Sequence, residues 1–280
     1  MLITNETPSL TWSLAGVSGS TWISGAPLSR LTNGKPRVGV RFTRSSGSAG
    51  FELSAQWSTL SRPKLFALFG LSEEWEGQTF GVSVSNFGGG GSSIDLGTVS
   101  VQRLPDGGLA AILLIPSLSS DVDSVRITAG TLTGSSYYIG DVVIATAQEW
   151  CIRRDWVESV TALSRQNVTT TGQPFNVRRV QRRQASVTIA PQQWASAYSA
   201  ASVETLQKLQ ARLSQYQPVL VIPALRQPGL GEAAPVDMDT VYATALFGYA
   251  SNLGQIGLVN NSNLAELKLQ FTEAPAGVID

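Results

Sequence analysis

What most constrains this chain is a period of two. In its first half, apolar residues recur at alternate positions in short runs: Val38/Val40/Phe42 with Arg37/Arg41/Thr43 between and beside them, then Phe51/Leu53/Ala55/Trp57, Phe80/Val82/Val84 and Val125/Ile127. Alternation sends successive side chains to opposite faces of a strand, so each run predicts a strand with one buried face. Three further stretches, 64–69, 110–115 and 141–145, are nearly continuous in apolar residues and too short for good helices. They suit central strands. The breaks hold turn formers, as in Thr32-Asn33-Gly34, 45–50, 87–93 and 105–108. Together these signals predict a mainly β protein that begins with a two-sheet antiparallel β-sandwich over residues 1–148.

Beyond Trp150 the texture changes. Segment 151–190 carries seven arginines, Arg153, Arg154, Arg165, Arg178, Arg179, Arg182 and Arg183, against only Asp155 and Glu158, a local excess of five positive charges. Residues 185–190 read as a strand ended by Pro191. A helix is expected over about 194–215, where Val203, Leu206, Leu209 and Leu213 fall at steps of three and four. A short buried strand at 218–223 sits between prolines, 226–240 reads as an exposed loop, and strands near 241–248 and 264–272 close the chain. The second domain, 149–280, is therefore expected to be a smaller α+β unit.

Composition removes whole classes of chemistry. There is no histidine and one cysteine, Cys151, so Ser-His-Asp and Cys-His nucleophile systems, ordinary zinc sites and an internal disulfide are all out of reach. Cys151, between Trp150 and Ile152, reads as a small buried hydrophobe. Lys and Arg number 20, as do Asp and Glu, giving zero net charge. The longest apolar run, 109–115, is far short of a membrane span, and the first seven residues lack a secretory pattern, from which folding in the cytoplasm is expected. Asp121/Asp123 and Glu73/Glu74/Glu76 lack the spacing of a hard-metal loop and read as solvated surface. The expectation is no catalytic residue, no cofactor, no metal and no enzyme.

The tract 33–42, the strand 65–71, the aromatic junction from Gly140 through Trp150 to Trp156, the Arg-rich hairpin 177–183, and the strand, helix and strand at 185–190, 202–214 and 218–223 follow one another in an order that resembles that of tailed-bacteriophage tail-tip proteins. The resemblance implies a discoidin-like jelly-roll sandwich followed by a domain resembling the tail-tube fold. It further implies a distal or minor tail protein of the virion, assembled in the host bacterial cytoplasm. Such a protein forms homo-oligomers, a ring of six or a trimer, and joins tail tube, tape measure and hub.

Two candidate sites follow. Arg178, Arg179, Arg182 and Arg183 read as a subunit contact, with a solvated hairpin or nucleic acid in a tail channel as the other readings; nothing points to sequence-specific nucleic-acid recognition. Trp22 and Trp75 lie in loop-like surroundings and are candidates to stack on host-surface glycans, whereas Trp57 is in phase with Phe51 and Leu53 and reads as core. A carbohydrate-binding module used in host attachment is thus the alternative function.

Overall fold

The computed structural model describes residues 1–4, 9–17, 21–46, 50–86, 93–130, 132–152, 156–161, 165–168, 174–177, 182–193, 205–213, 218–227, 234–258 and 264–274. In chain order the strands are β1 (Leu2–Thr4), β2 (Thr11–Val17), β3 (Thr21–Ser24), β4 (Val40–Ser46), β5 (Gly50–Ser61), β6 (Leu65–Leu71), β7 (Thr79–Ser85), β8 (Ile94–Ser100), β9 (Gln102–Arg103), β10 (Leu109–Leu114) and β11 (Val122–Ala129). They continue with β12 (Ser136–Ile139), β13 (Asp141–Ala145), β14 (Ala147–Glu149), β15 (Val157–Thr161), β16 (Arg165–Val168), β17 (Pro174–Val177), β18 (Arg182–Gln193), β19 (Val219–Ile222), β20 (Leu246–Leu258) and β21 (Leu264–Glu273). Among the described residues two helices, α1 (Leu206–Leu213) and α2 (Met238–Thr244), complete the set with three short stretches of 3-10 helix.

The chain divides into two compact units, one spanning Thr4–Ala147 and the other made of Met1–Ile3 with Gln148–Pro275. The amino terminus is where this departs from the sequence reading, which left it in the sandwich. β1 is a strand of the second unit's sheet, where Leu2 pairs with Ile222 and Ile3 with Val221. The Met1 ammonium donates to the Trp150 carbonyl at 3.0 Å, and the Trp150 N–H donates back to Met1 at 2.7 Å.

The first unit is the antiparallel sandwich. A five-stranded sheet ordered β2-β5-β11-β7-β8 contributes to one core with a four-stranded sheet β13-β6-β10-β9 and a three-stranded sheet β12-β4-β3. β5 shows the rule behind it: Phe51, Leu53, Ala55 and Trp57 are buried while the residues between them are not. β6, the continuous apolar run, is buried at all seven positions and lies between β13 and β10. At the centre, Trp22, Phe42, Phe51, Trp75, Phe80 and Tyr137 form a linked set of rings with centroids 4.5 to 5.9 Å apart. Most meet edge to face, the arrangement the ring quadrupole favours.

The 3-10 turn Pro36–Val38 is seated on two glycines. Gly70 has φ 63°, and a Cβ on Gly140 would lie 2.1 Å from the Pro36 carbonyl oxygen. No side chain fits there without moving backbone. Gly140→Ala is therefore expected to cost about 1–3 kcal/mol of sandwich stability, read from urea denaturation.

The second unit is a seven-stranded sheet, ordered β14-β1-β19-β20-β21-β18-β15, with one face packed against α1. Leu206, Leu209 and Leu213 meet Val187, Ile189, Leu267, Leu269 and Phe271 in that core. The described part of the expected helix is 206–213; the rest of 194–215 lies outside the described residues. Two expectations are corrected here. β18 does not stop at Pro191 but runs through it, with the register shifting between Ile189 and Gln192, as a residue without an N–H requires. The strand expected from 241 begins only at Leu246, because Met238–Thr244 forms α2, whose Val241 N–H bonds back to the Asp237 carbonyl at 3.0 Å.

Candidate functional site

Of the four candidate arginines the structure describes Arg182 and Arg183. Arg178 and Arg179 lie outside the described residues, and Arg182 is exposed at the start of β18. Arg183 is the correction: only 2% exposed, it is an internal group of its own unit. Its guanidinium lies 3.0 Å from Glu158 and 3.8 Å from buried Glu273, and donates to the Ala245 carbonyl at 2.6 Å. Strand alternation is the cause, since neighbouring residues of β18 point to opposite faces. Arg183→Ala removes the guanidinium that lies 3.8 Å from buried Glu273 and 3.0 Å from Glu158. The expected cost is about 3 kcal/mol of second-unit stability, at the low end for a broken buried pair because Glu158 retains some solvent; thermal unfolding followed by circular dichroism checks it.

Neither glycan candidate offers a ring face. Trp22 is 6% exposed and Trp75 fully buried. Their indole N–H groups are spent inside, Trp22 on the Gly50 carbonyl at 2.8 Å and Trp75 on the Tyr138 carbonyl at 3.1 Å. A sugar stacks only on a ring that solvent can reach. Trp57 is core as expected, whereas Cys151, expected to be buried, is exposed.

What does converge on solvent is a charged cluster around Trp75. The 3-10 turn Glu73–Trp75 follows β6, with the Trp75 N–H bonded to the Ser72 carbonyl at 3.0 Å, and it drives the Trp75 ring into the core. Its flanking carboxylates, Glu73 and Glu76, are thereby left facing out. From β9, Arg103 meets both: one guanidinium nitrogen lies 2.7 Å from Glu73 and 3.0 Å from Glu76, and the other donates to the Gly107 carbonyl at 2.9 Å. Register sets this meeting, since Leu109 pairs with Leu71 on one side and with Arg103 on the other.

The turn that carries Gly107 is itself fixed. The Leu104 N–H donates to the Gly108 carbonyl at 2.7 Å, Asp106 accepts from the Gly108 N–H at 2.9 Å, and Gly107 takes φ 87°, where a side chain would strain the backbone. The hydrogen bond from Arg103 holds Glu73 below the usual carboxylate range, and the same bond raises Arg103 further. Glu73 and Arg103 are thereby held charged at neutral pH, and all three groups are open to water, with the Arg103 side chain 43% exposed. The sequence reading passed over Arg103 and treated the two glutamates as solvated surface. The signal lay in the pairing of a Gly-rich turn with the Glu-Glu-Trp-Glu run.

A depression of about 200 Å³ lies on the second unit and is lined in part by Ser186, Thr188, Asn252, Lys268 and Gln270. It holds one charged side chain and no converging pair. Among the described residues no three of His, Cys, Asp or Glu gather as a metal site, and no helix is long and apolar enough to cross a membrane.

No protein-family model matches the sequence, and no curated protein matches it. Solved structures do resemble it. The family 32 carbohydrate-binding module of C. perfringens NanJ, in complex with galactose, is 13% identical, with 53% of this chain and 100% of that chain covered and a TM-score of 0.39. CpGH89CBM32-5 from Clostridium perfringens, in complex with GalNAc-beta-1,3-galactose, is 12% identical over 49% of this chain and 96% of that chain, at a TM-score of 0.35. CpGH89CBM32-4 from the same organism, in complex with glcNAc-alpha-1,4-galactose, is 12% identical over 50% and 91%, at 0.32. These three are carbohydrate-binding modules and none is a tail protein, so the expectation of a tail-tip identity gains nothing from them. The chain is a mainly β protein built of antiparallel sheets, with a sandwich as its first unit.

Proposed function

We propose that the sandwich is a carbohydrate-binding module that holds a glycan at the end carrying Arg103, Glu73 and Glu76. The observation that supports this reading is the cluster itself: a cation between two carboxylates, open to solvent, on turns that the Trp75 core and the Leu104–Gly108 bonds hold in place. A sugar hydroxyl both donates and accepts. A guanidinium supplies fixed donors, and each carboxylate keeps acceptor sites beyond those Arg103 occupies, so neighbouring hydroxyls meet both kinds of partner without any rearrangement. A site preorganised in this way loses little entropy on binding.

The test is titration calorimetry with galactose, N-acetylgalactosamine and N-acetylglucosamine, then a glycan array. Arg103→Ala is expected to weaken binding roughly 10- to 100-fold, the worth of a charged hydrogen bond. Its melting temperature should stay close to that of the parent, because exposed ion pairs add little stability. The pH dependence follows from the lowered Glu73: binding persists at neutral pH and is lost as Glu73 protonates, below the ordinary glutamate value of about 4.3. Unchanged affinity in Arg103→Ala, or no glycan bound by the parent, rejects the reading.

A further inference from the structure

From residue 7 to residue 51 the chain carries five cations, Arg30, Lys35, Arg37, Arg41 and Arg44, and no Asp or Glu. Arg44 is used internally, donating to the Leu132 carbonyl at 3.1 Å. The other four gather around the turn Pro36–Val38. Arg41 lies on β4 opposite Tyr138 of β12, on the face away from buried Val40 and Phe42. The Tyr138 hydroxyl donates to the Pro36 carbonyl at 3.2 Å and accepts from the Gly39 N–H, so it clasps both ends of the turn on which Arg37 sits. The charges of Arg41 and Arg30 both bear on that hydroxyl, working against the rise that its burial causes. Asn33 fixes the approach to the turn, its amide donating to the Val38 carbonyl at 2.8 Å and its side-chain oxygen accepting from the Lys35 N–H at 2.7 Å.

Arg30, Lys35 and Arg41 are exposed and Arg37 is half-buried, and among the described residues none of the four makes an ion pair. The carboxyl that meets this turn, Asp141, takes N–H groups from Gly34 and Lys35, and its burial pushes it up to about 8. It is uncharged at neutral pH and cancels none of the four. Arg37 adds an independent sign: its Nε is buried and has no hydrogen-bond partner among the described residues. A buried donor in that state is rare, and a guanidinium uses Nε and Nη together as a fork on an oxyanion. The like charges repel one another, so an anion bound between them is attracted by all four. A carboxylate offers two oxygens in one plane, whereas a tetrahedral group spreads three or more toward donors that arrive from separate segments. We infer that the Pro36 turn and its four cations bind a sulfate or phosphate group, carried by a glycan or free in solution. The site does not draw on Arg103, and neutral sugars carry no such group, so this reading and the one above fail separately.

Titration calorimetry of the full chain with sodium sulfate, sodium phosphate and a sulfated disaccharide tests this, at a constant ionic strength of about 0.15 M so that general screening is the same throughout. Saturable binding of at least one of the three is expected. Arg30→Gln and Arg41→Gln, both at exposed positions, should each weaken it roughly 10- to 100-fold, the worth of one charged hydrogen bond, with the circular dichroism of the parent retained. Arg62→Gln removes the same charge elsewhere on the sandwich, where Arg62 is paired with Asp121 at 2.6 Å, and should bind as the parent does. A disaccharide held more tightly than free sulfate assigns the group to a glycan; equal affinities assign it to the free anion. No saturable binding of any of the three by the parent overturns the proposal. So does a loss in Arg62→Gln as large as that in Arg41→Gln, which would reduce the effect to net charge, or an affinity that both cluster variants keep.

Discussion

Replacing Trp75 by alanine is expected to lower the stability of the sandwich by about 4–5 kcal/mol, close to the whole reserve of a marginal domain. The indole is fully buried, with ring centroids 4.5 Å from Tyr137, 4.6 Å from Phe80 and 5.7 Å from Phe51, so its removal opens a cavity that three large neighbours cannot close without leaving their own rotamers. Loss of transferred area and the remaining void account for about 3–5 kcal/mol. The lost hydrogen bond adds little. The Tyr138 carbonyl that accepts from the indole also accepts from the Ser72 N–H at 3.2 Å and is not orphaned.

Trp75→Phe separates the two contributions: it keeps most of the packing and is expected to cost about 1–2 kcal/mol. Urea denaturation followed by tryptophan fluorescence reads both variants. If the alanine variant loses less than about 1 kcal/mol, the ring is not the keystone described here. The contrast with Arg103→Ala is the useful one. Trp75 should move stability and carry glycan binding down with it, whereas Arg103 should move binding alone.

Trp75 also shows why some of this fold was legible in the sequence and some was not. The strands that announced themselves were long enough to repeat: β5 shows its buried face four times, at Phe51, Leu53, Ala55 and Trp57, and β21 buries Ala265, Leu267, Leu269 and Phe271 in strict alternation. Trp22 and Trp75 sit in a four-residue strand and a three-residue turn, too short to display any period. What buries them is remote in sequence, a carbonyl 28 residues from Trp22 and another 63 from Trp75. β1 is hidden for the same reason, since its partner β19 comes near the other end of the chain. α2 is seven residues of Met-Asp-Thr-Val-Tyr-Ala-Thr, whose two threonines, valine and tyrosine favour strands in isolation, and only its surroundings make it helical. The Arg103 cluster joins positions 30 apart and rests on the β6–β10–β9 register, which no local pattern encodes. Segregation of charge into 151–190 was plain in the sequence; that Arg183 points inward was not.

The second large effect is a dependence on pH centred on Asp141. This carboxyl opens β13, is 2% exposed, and receives backbone N–H groups of Gly34, Lys35 and Val142, yet its Oδ2 has no partner. The three donors favour the charged form, but burial outweighs them and pushes the group up to about 8. Tyr138, beside it, is also raised, mainly by its own burial, and stays neutral throughout the range that matters. In the unfolded chain Asp141 ionises near its ordinary value of about 3.9. Below that pH both states hold the proton and Asp141 imposes no penalty. Between about 4 and 8 the unfolded chain has released the proton while the fold still holds it, so stability falls as pH rises, by up to ~1.4 kcal/mol per pH unit. The whole window amounts to about 5 kcal/mol, complete once the folded carboxyl has ionised. Asp141→Asn keeps shape and one acceptor oxygen but cannot ionise. The variant is therefore expected to match the parent near pH 4, give or take about 1 kcal/mol for an amide N–H without a partner, and to exceed it by several kcal/mol at pH 9. Because every other carboxylate titrates alike in both proteins, the difference between their urea midpoints against pH isolates this one group. A difference that stays flat from pH 4 to 9 would mean that Asp141 is already ionised in the fold at acid pH and that its backbone donors, not its burial, decide its charge.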